Sequence, residues 1–173
     1  AYKGKEAARQ AEEQRKAAAR HIEAQTFSVD LPEYWDGRVT AKVNGDSIGL
    51  YSTAYPDKYI GSLTGYDHEV WGGGDIGGGC VKDINLGGGR YVEIWITRWS
   101  YDAAMAHLSK FSSSSTGCSD DAARETLDLQ SLGAVSFDTI VSEMKAANAP
   151  ESKTLFKADD IFAGALAPTV KPL

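Results

Sequence analysis

Arg90-Tyr91-Val92-Glu93-Ile94-Trp95-Ile96-Thr97-Arg98-Trp99 is the stretch on which the fold of this 173-residue chain turns. Side chains alternate across a strand, so Val92, Ile94 and Ile96 share one side while Tyr91, Trp95 and Trp99 share the other. A strand apolar on both sides belongs near the middle of a sheet, with layers above and below it. Just upstream, Cys80-Val81-Lys82-Asp83-Ile84-Asn85-Leu86 leads into Gly87-Gly88-Gly89, and the glycine turn makes the two segments a hairpin.

Working outward from this hairpin, Gly37 to Val43 and Ser47 to Ser52 alternate on either side of Asn44-Gly45-Asp46. Asn-Gly between alternating runs predicts a second hairpin. Tyr59 to Val70 predicts another strand, with Ile60, Leu63, Tyr66 and Val70 as its large apolar members. Helices follow: Tyr101 to Phe111, then a helix capped by Ser119-Asp120-Asp121 running to Leu129 or Leu132, then one opened by Ser136-Phe137-Asp138, and a short one from Asp159 to Leu166. Ser112 to Gly117 reads as a flexible connection. Strands followed by helices predict an α+β sandwich, a mainly antiparallel sheet packed with helices.

The N-terminal side is different in kind. Lys3 to Ala24 is rich in Ala, Glu, Gln, Lys and Arg, with Glu12 and Lys16 at the favourable i,i+4 spacing. Its apolar face is alanine apart from Ile22, which buries little surface. The chain therefore divides into a charged helical spacer over 1–25 and a single α+β domain over 26–173. The spacer holds six Lys/Arg and four Glu, which leaves twelve basic and twenty acidic residues in the body. An acidic body excludes nucleic acid as an expected partner. No apolar run approaches the roughly 20 residues needed to cross a bilayer, so any membrane tether lies outside this chain.

Cys80 and Cys118 are the two cysteines. Their spacing matches no zinc or redox motif, and an even pair predicts one disulfide, worth roughly 3 to 4 kcal/mol for a loop of about 39 residues. Two buried thiols are the alternative.

Gly45-Asp46-Ser47-Ile48-Gly49 matches the Gly-x-Ser-x-Gly pattern of a nucleophile, which needs a strand-to-helix turn with a histidine and an acid nearby. Here it sits in a hairpin and leads into a strand, so a turn is expected, and a hydrolase using Ser47 is the competing reading. Gly72-Gly73-Gly74-Asp75-Ile76-Gly77 formally satisfies Gly-x-Gly-x-x-Gly, but a strand follows rather than the helix that a dinucleotide requires. A loop that contacts ligand through Trp71 or Asp75 is the functional alternative. Asp67-His68-Glu69 is dense in metal-capable groups, and Asp67, Glu69 and Asp75 together would suit a hard cation. Strand geometry sends His68 to the opposite face, and solvated charge is the reading adopted. Tyr55 and Tyr59, around Pro56-Asp57, complete the expected ligand-binding set with Trp71 and Asp75; their rings would stack on a glycan or clasp a peptide. No catalytic residue, cofactor or metal is expected.

Thr26-Phe27-Ser28-Val29-Asp30-Leu31-Pro32-Glu33-Tyr34-Trp35 joins a short alternating strand to a proline stop and a large aromatic anchor. This segment resembles the opening of the PsbP-like sandwich, in which such a strand runs into a tryptophan, and Gly61-Ser62-Leu63-Thr64-Gly65-Tyr66 is similar to the glycine-aliphatic strand that follows there. The likeness spans roughly residues 26 to 147. It implies an α/β/α sandwich and a binding or assembly role without catalysis. Pro32-Glu33-Tyr34-Trp35 after a charged spacer also resembles a group of extracytoplasmic, often lipid-anchored proteins of Gram-positive bacteria. That likeness implies an extracellular or cell-surface location, and an unidentified protein, peptide or glycan as partner.

Overall fold

The computed structural model describes residues 2–70, 74–75, 78–108, 118–147 and 153–173. Trp71, the glycines at 72–73 and 77, and the Ser112 to Gly117 connection lie outside the described residues.

Helix α1 spans Tyr2–Arg20 and buries none of its residues, as a face of alanines and alternating charges dictates. It is laced by Arg9–Glu6, Arg9–Glu13 and Arg15–Glu12 pairs, exposed contacts worth little each. The helix was expected to run to Ala24. It stops at Arg20 because His21–Glu23 forms strand β1, where Ile22 lies opposite Val29 of β2, Phe27–Asp30. Burying Ile22 against the core outweighs its helical neighbourhood.

The body is α+β. Six antiparallel strands form one sheet in the order β3-β4-β5-β8-β7-β6: β3 Val39–Asn44, β4 Ser47–Ser52, β5 Tyr59–Tyr66, β6 Gly74–Asp75, β7 Gly78–Gly87 and β8 Arg90–Thr97. Both expected hairpins form. Gly45 has φ of 60°, and Gly87, Gly88 and Gly89 all have positive φ, the left-handed backbone these turns require. A smaller sheet, β1-β2-β9, is closed by β9 at Lys171–Pro172. Among the described residues four more α-helices follow β8: α2 Trp99–His107, α3 Asp120–Gln130, α4 Phe137–Ala147 and α5 Lys153–Leu166. The expected Ser119 cap is present, its hydroxyl accepting from Ala122 N at 3.2 Å. The last helix begins six residues earlier than the pattern from Asp159 suggested.

Two apolar clusters hold the body together. Ile48, Leu50, Leu63, Val92, Ile94 and Ile96 line the inner face of the large sheet and meet Phe27 and Val29 of the small sheet, Leu129 of α3, and Phe162 and Leu166 of α5. Trp35, 2% exposed, closes this cluster. Its Nε1 donates to Leu129 O at 2.8 Å and its ring lies 5.9 Å from that of Phe162. A second cluster fills the space among α2 to α5, with Leu127, Phe137, Ile140, Met144 and Leu155 at its centre.

Strand β8 lies between β5 and β7, as its double apolar pattern predicts. Its two faces are covered unequally. Val92, Ile94 and Ile96 are fully buried, whereas Tyr91, Glu93 and Trp95 are half-buried on the outer face. Trp99 belongs to α2 rather than to the strand, and its Nε1 donates to Tyr59 O at 2.6 Å.

The disulfide is not formed: Cys80 and Cys118 are both buried thiols, and they lie in different layers. Cys80 lies opposite Trp95 on the outer face of the sheet, while Cys118 packs into the cluster among the helices. Spacing alone carries no information about which layer a side chain enters.

Candidate binding cleft

The chain between Trp35 and β3 returns across α3, and the two segments are tied by charge. Arg38 lies 87 and 90 positions from its partners, Glu125 and Asp128, and its Nη2 reaches Asp128 Oδ2 at 2.7 Å. The guanidinium stacks 5.0 Å from the Tyr34 ring, and the Tyr34 hydroxyl donates to the same Asp128 oxygen at 2.8 Å. Burial disfavours the Arg38 charge, but Asp128, Tyr34 and Glu125 outweigh it and raise its pKa above the usual arginine value.

One turn back along α3, Arg124 is exposed and bridges Asp121 at 3.2 Å and Asp138 at 3.1 Å. Its guanidinium lies 5.7 Å from the Phe137 ring at the start of α4. The connection between α3 and α4 is tight because Leu132 and Gly133 both adopt left-handed backbone, with φ of 52° and 80°. A side chain on Gly133 would meet the Tyr34 hydroxyl at 2.8 Å.

These residues enclose an open cleft of about 660 Å³, with Tyr55 on one wall and Thr154 on another. Two arginines and four carboxylates, Asp121, Glu125, Asp128 and Asp138, line it. Both arginines are already held by carboxylates, so an incoming anion would have to displace an existing partner. An incoming cation meets surplus negative charge with unused oxygen lone pairs.

Of the residues expected from sequence to bind ligand, Tyr55 is the one placed on this cleft. Tyr59 is structural: half-buried in β5, it sits between Tyr51 and Trp99 with ring centroids 6.0 Å from each, and its carbonyl accepts from Thr97 and Trp99. Trp71 lies outside the described residues. The backbone of Asp75 is in β6, paired with Gly78.

The other motifs resolve as turns and surface. Ser47 Oγ is 2.9 Å from Thr64 Oγ1 across the β4–β5 ladder, with no histidine hydrogen-bonded to it among the described residues. Asp46 of the same motif accepts from Thr26 N at 2.8 Å and Thr26 Oγ1 at 2.6 Å, which ties the hairpin turn to the start of the small sheet. Asp67 and His68 pair with each other at 2.8 Å, both largely exposed, and Glu69 is exposed beside them.

No family model matches the chain, and no curated protein or solved structure matches it significantly.

Proposed function

We propose that this protein is a non-enzymatic binding module whose α3–α4 cleft receives a basic segment of a peptide or protein partner. The observation that carries the reading is the charge of the cleft: four carboxylates against two arginines that are both already engaged. Tyr55 on the wall offers a face for the stem or guanidinium of an arginine. The acidic body adds a long-range attraction for such a partner that falls with ionic strength.

The module works outside the cytoplasm in this proposal, as a secreted or surface-tethered protein. Support comes from the likeness of Pro32-Glu33-Tyr34-Trp35 to lipid-anchored proteins and of the strand before it to the PsbP-like sandwich. It comes also from α1, an exposed helix of 19 residues, about 28 Å long at 1.5 Å per residue and suited to hold a domain off a surface.

The test is an NMR titration of the full chain with a neutral-flanked Arg/Lys-rich peptide, alongside the same peptide with Glu at the basic positions. The basic peptide is expected to shift the amides of Tyr55, Glu125, Ser136 and Thr139, and the acidic one to leave them in place. Asp121→Lys changes an exposed side chain and is expected to weaken the basic peptide at least tenfold. Equal binding of both peptides, shifts confined to other surfaces, or a glycan ligand whose affinity Asp121→Lys leaves intact would each overturn the proposal.

A further inference from the structure

Strand β7 carries an irregularity that the ladder makes visible. Cys80 lies opposite Trp95, but Lys82 rather than Val81 lies opposite Ile94, so one extra residue is accommodated between them. In a regular strand two residues three apart face opposite ways. The bulge instead turns Cys80 and Asp83 to the same outer face, and Asp83 lies directly opposite Glu93 of β8.

The Cys80 thiol and the carboxylates of Asp83 and Glu93 come within 4.8 Å of one another. The thiol donates to Asp83 Oδ1 at 3.3 Å. That separation is close to the edge of a tetrahedron around zinc, about 3.6 Å for a sulfur at about 2.3 Å and an oxygen at about 2.1 Å. Three further observations set the group apart from ordinary surface charge. Cys80 is 7% exposed, so its sulfur is aimed into the group from a sheltered position. Asp83 and Glu93 are like charges in direct register, an unfavourable cross-strand pair. Neither forms an ion pair with a described lysine or arginine, although most of the acidic groups on α3 and α4 near the cleft do.

We propose that Cys80 Sγ, Asp83 and Glu93 form a binding site for a thiophilic divalent cation of the zinc class, with water or an external donor as the fourth ligand. One sulfur and two carboxylates fit a borderline metal; magnesium and calcium prefer all-oxygen sets. On binding, the S–H bond of Cys80 breaks, its proton leaves to solvent, and the sulfur lone pair forms the bond to the metal. Without the cation, burial first and then Asp83 push the thiol up to about 12; a bound dication reverses the sign of that local field. Burial first, and then the charges of Glu93, Asp83 and Cys80, raise the pKa of Tyr66 on β5. Its phenol is the natural reporter of a cation in this position.

The full chain is titrated with Co²⁺ and followed by absorption. A one-to-one thiolate-to-cobalt charge-transfer band is expected, bleached by added Zn²⁺. Cys80→Ser should abolish the band while far-UV circular dichroism stays native. Glu93→Gln, which keeps the shape of the side chain, should lower the affinity at least tenfold. Cys118→Ser should leave the band intact. Absence of a band in the native chain, its persistence in Cys80→Ser, or its loss in Cys118→Ser overturns the proposal.

Discussion

Arg98 and Asp159 form a buried ion pair that latches α5 to the junction of β8 and α2. The contact is bidentate, with Nη2 to Oδ2 at 2.5 Å, and the two side chains are 6% and 10% exposed, so solvent screens it little. Burial pushes the Asp159 carboxyl above its ordinary value even against the pull of Arg98. Desolvation is thus the larger effect, and the pair holds the helix in place without being a strong net source of stability. Two opposite outcomes follow from that balance. Asp159→Leu strands a guanidinium in the interior and should cost about 3–5 kcal/mol. For a chain of this length that corresponds to a fall in Tm of about 6–20 °C. Replacing both partners, Arg98→Met with Asp159→Leu, removes the stranded charge and should bring stability back to within about 1 kcal/mol of the native chain, or above it. Urea denaturation followed by tryptophan fluorescence reads all of these variants. A single substitution that costs less than about 1 kcal/mol, or a double variant no better than the single one, would refute the reasoning.

Two smaller perturbations probe other joints of the fold. A side chain on Gly61 would lie 2.4 Å from the Trp95 carbonyl and 2.5 Å from Phe162 Cζ; Gly61→Ala should therefore destabilise by about 1–3 kcal/mol, and an unchanged urea midpoint would contradict the close approach of β5, β8 and α5. His21 bonds Asp30 at 2.7 Å and Glu23 at 3.1 Å, and these bonds, Asp30 first, raise its pKa above 6.5. A histidine raised in the folded state stabilises fully below the unfolded value of about 6.5 and loses that contribution as pH rises through the folded pKa. The β1–β2 pairing should accordingly be tighter in mild acid than in alkali. An NMR titration of His21 that is not lowered by Asp30→Asn would count against this account.

The elements legible from sequence are those decided by local chemistry. Asn44-Gly45 and Gly87-Gly88-Gly89 announce hairpins because only particular residues tolerate positive φ. Ser119 announces a helix start because its hydroxyl can satisfy a free N–H. The pattern of Val92, Ile94 and Ile96 places β8 inside the sheet, and Trp35 is the anchor its context suggests. Contacts between distant segments were not legible. Arg38 carries no mark that it will reach Glu125 and Asp128, and the cleft exists only because that return path is taken. Ile22 sits in a helical composition yet pairs as a strand, since a contact with Val29 outweighs a weak intrinsic preference. The expected Cys80–Cys118 bridge failed for the same reason: separation along the chain does not reveal that one thiol faces out from the sheet and the other enters the helices.

The grouping of Cys80, Asp83 and Glu93 was hidden by a subtler fault of period. Reading β7 with a repeat of two puts Cys80 and Asp83 on opposite faces, and the bulge at Val81 cancels that inference. A bulge gives up ladder regularity, and a like-charge pair in register gives up more. Sequences that fold well avoid local conflicts of this kind except where a site requires them. The same logic holds at the cleft, where carboxylates outnumber the arginines that join them. Acidic residues of the small sheet and of α1 face partners or open solvent. In these two places they gather instead: Asp83 and Glu93 half-buried on the outer face of the sheet, and four carboxylates beside α3 and α4, of which Asp121 and Asp138 are exposed. Each concentrates negative charge that attracts a cation, which is the basis for proposing a positively charged side chain in the broad cleft and a metal ion in the narrow triad.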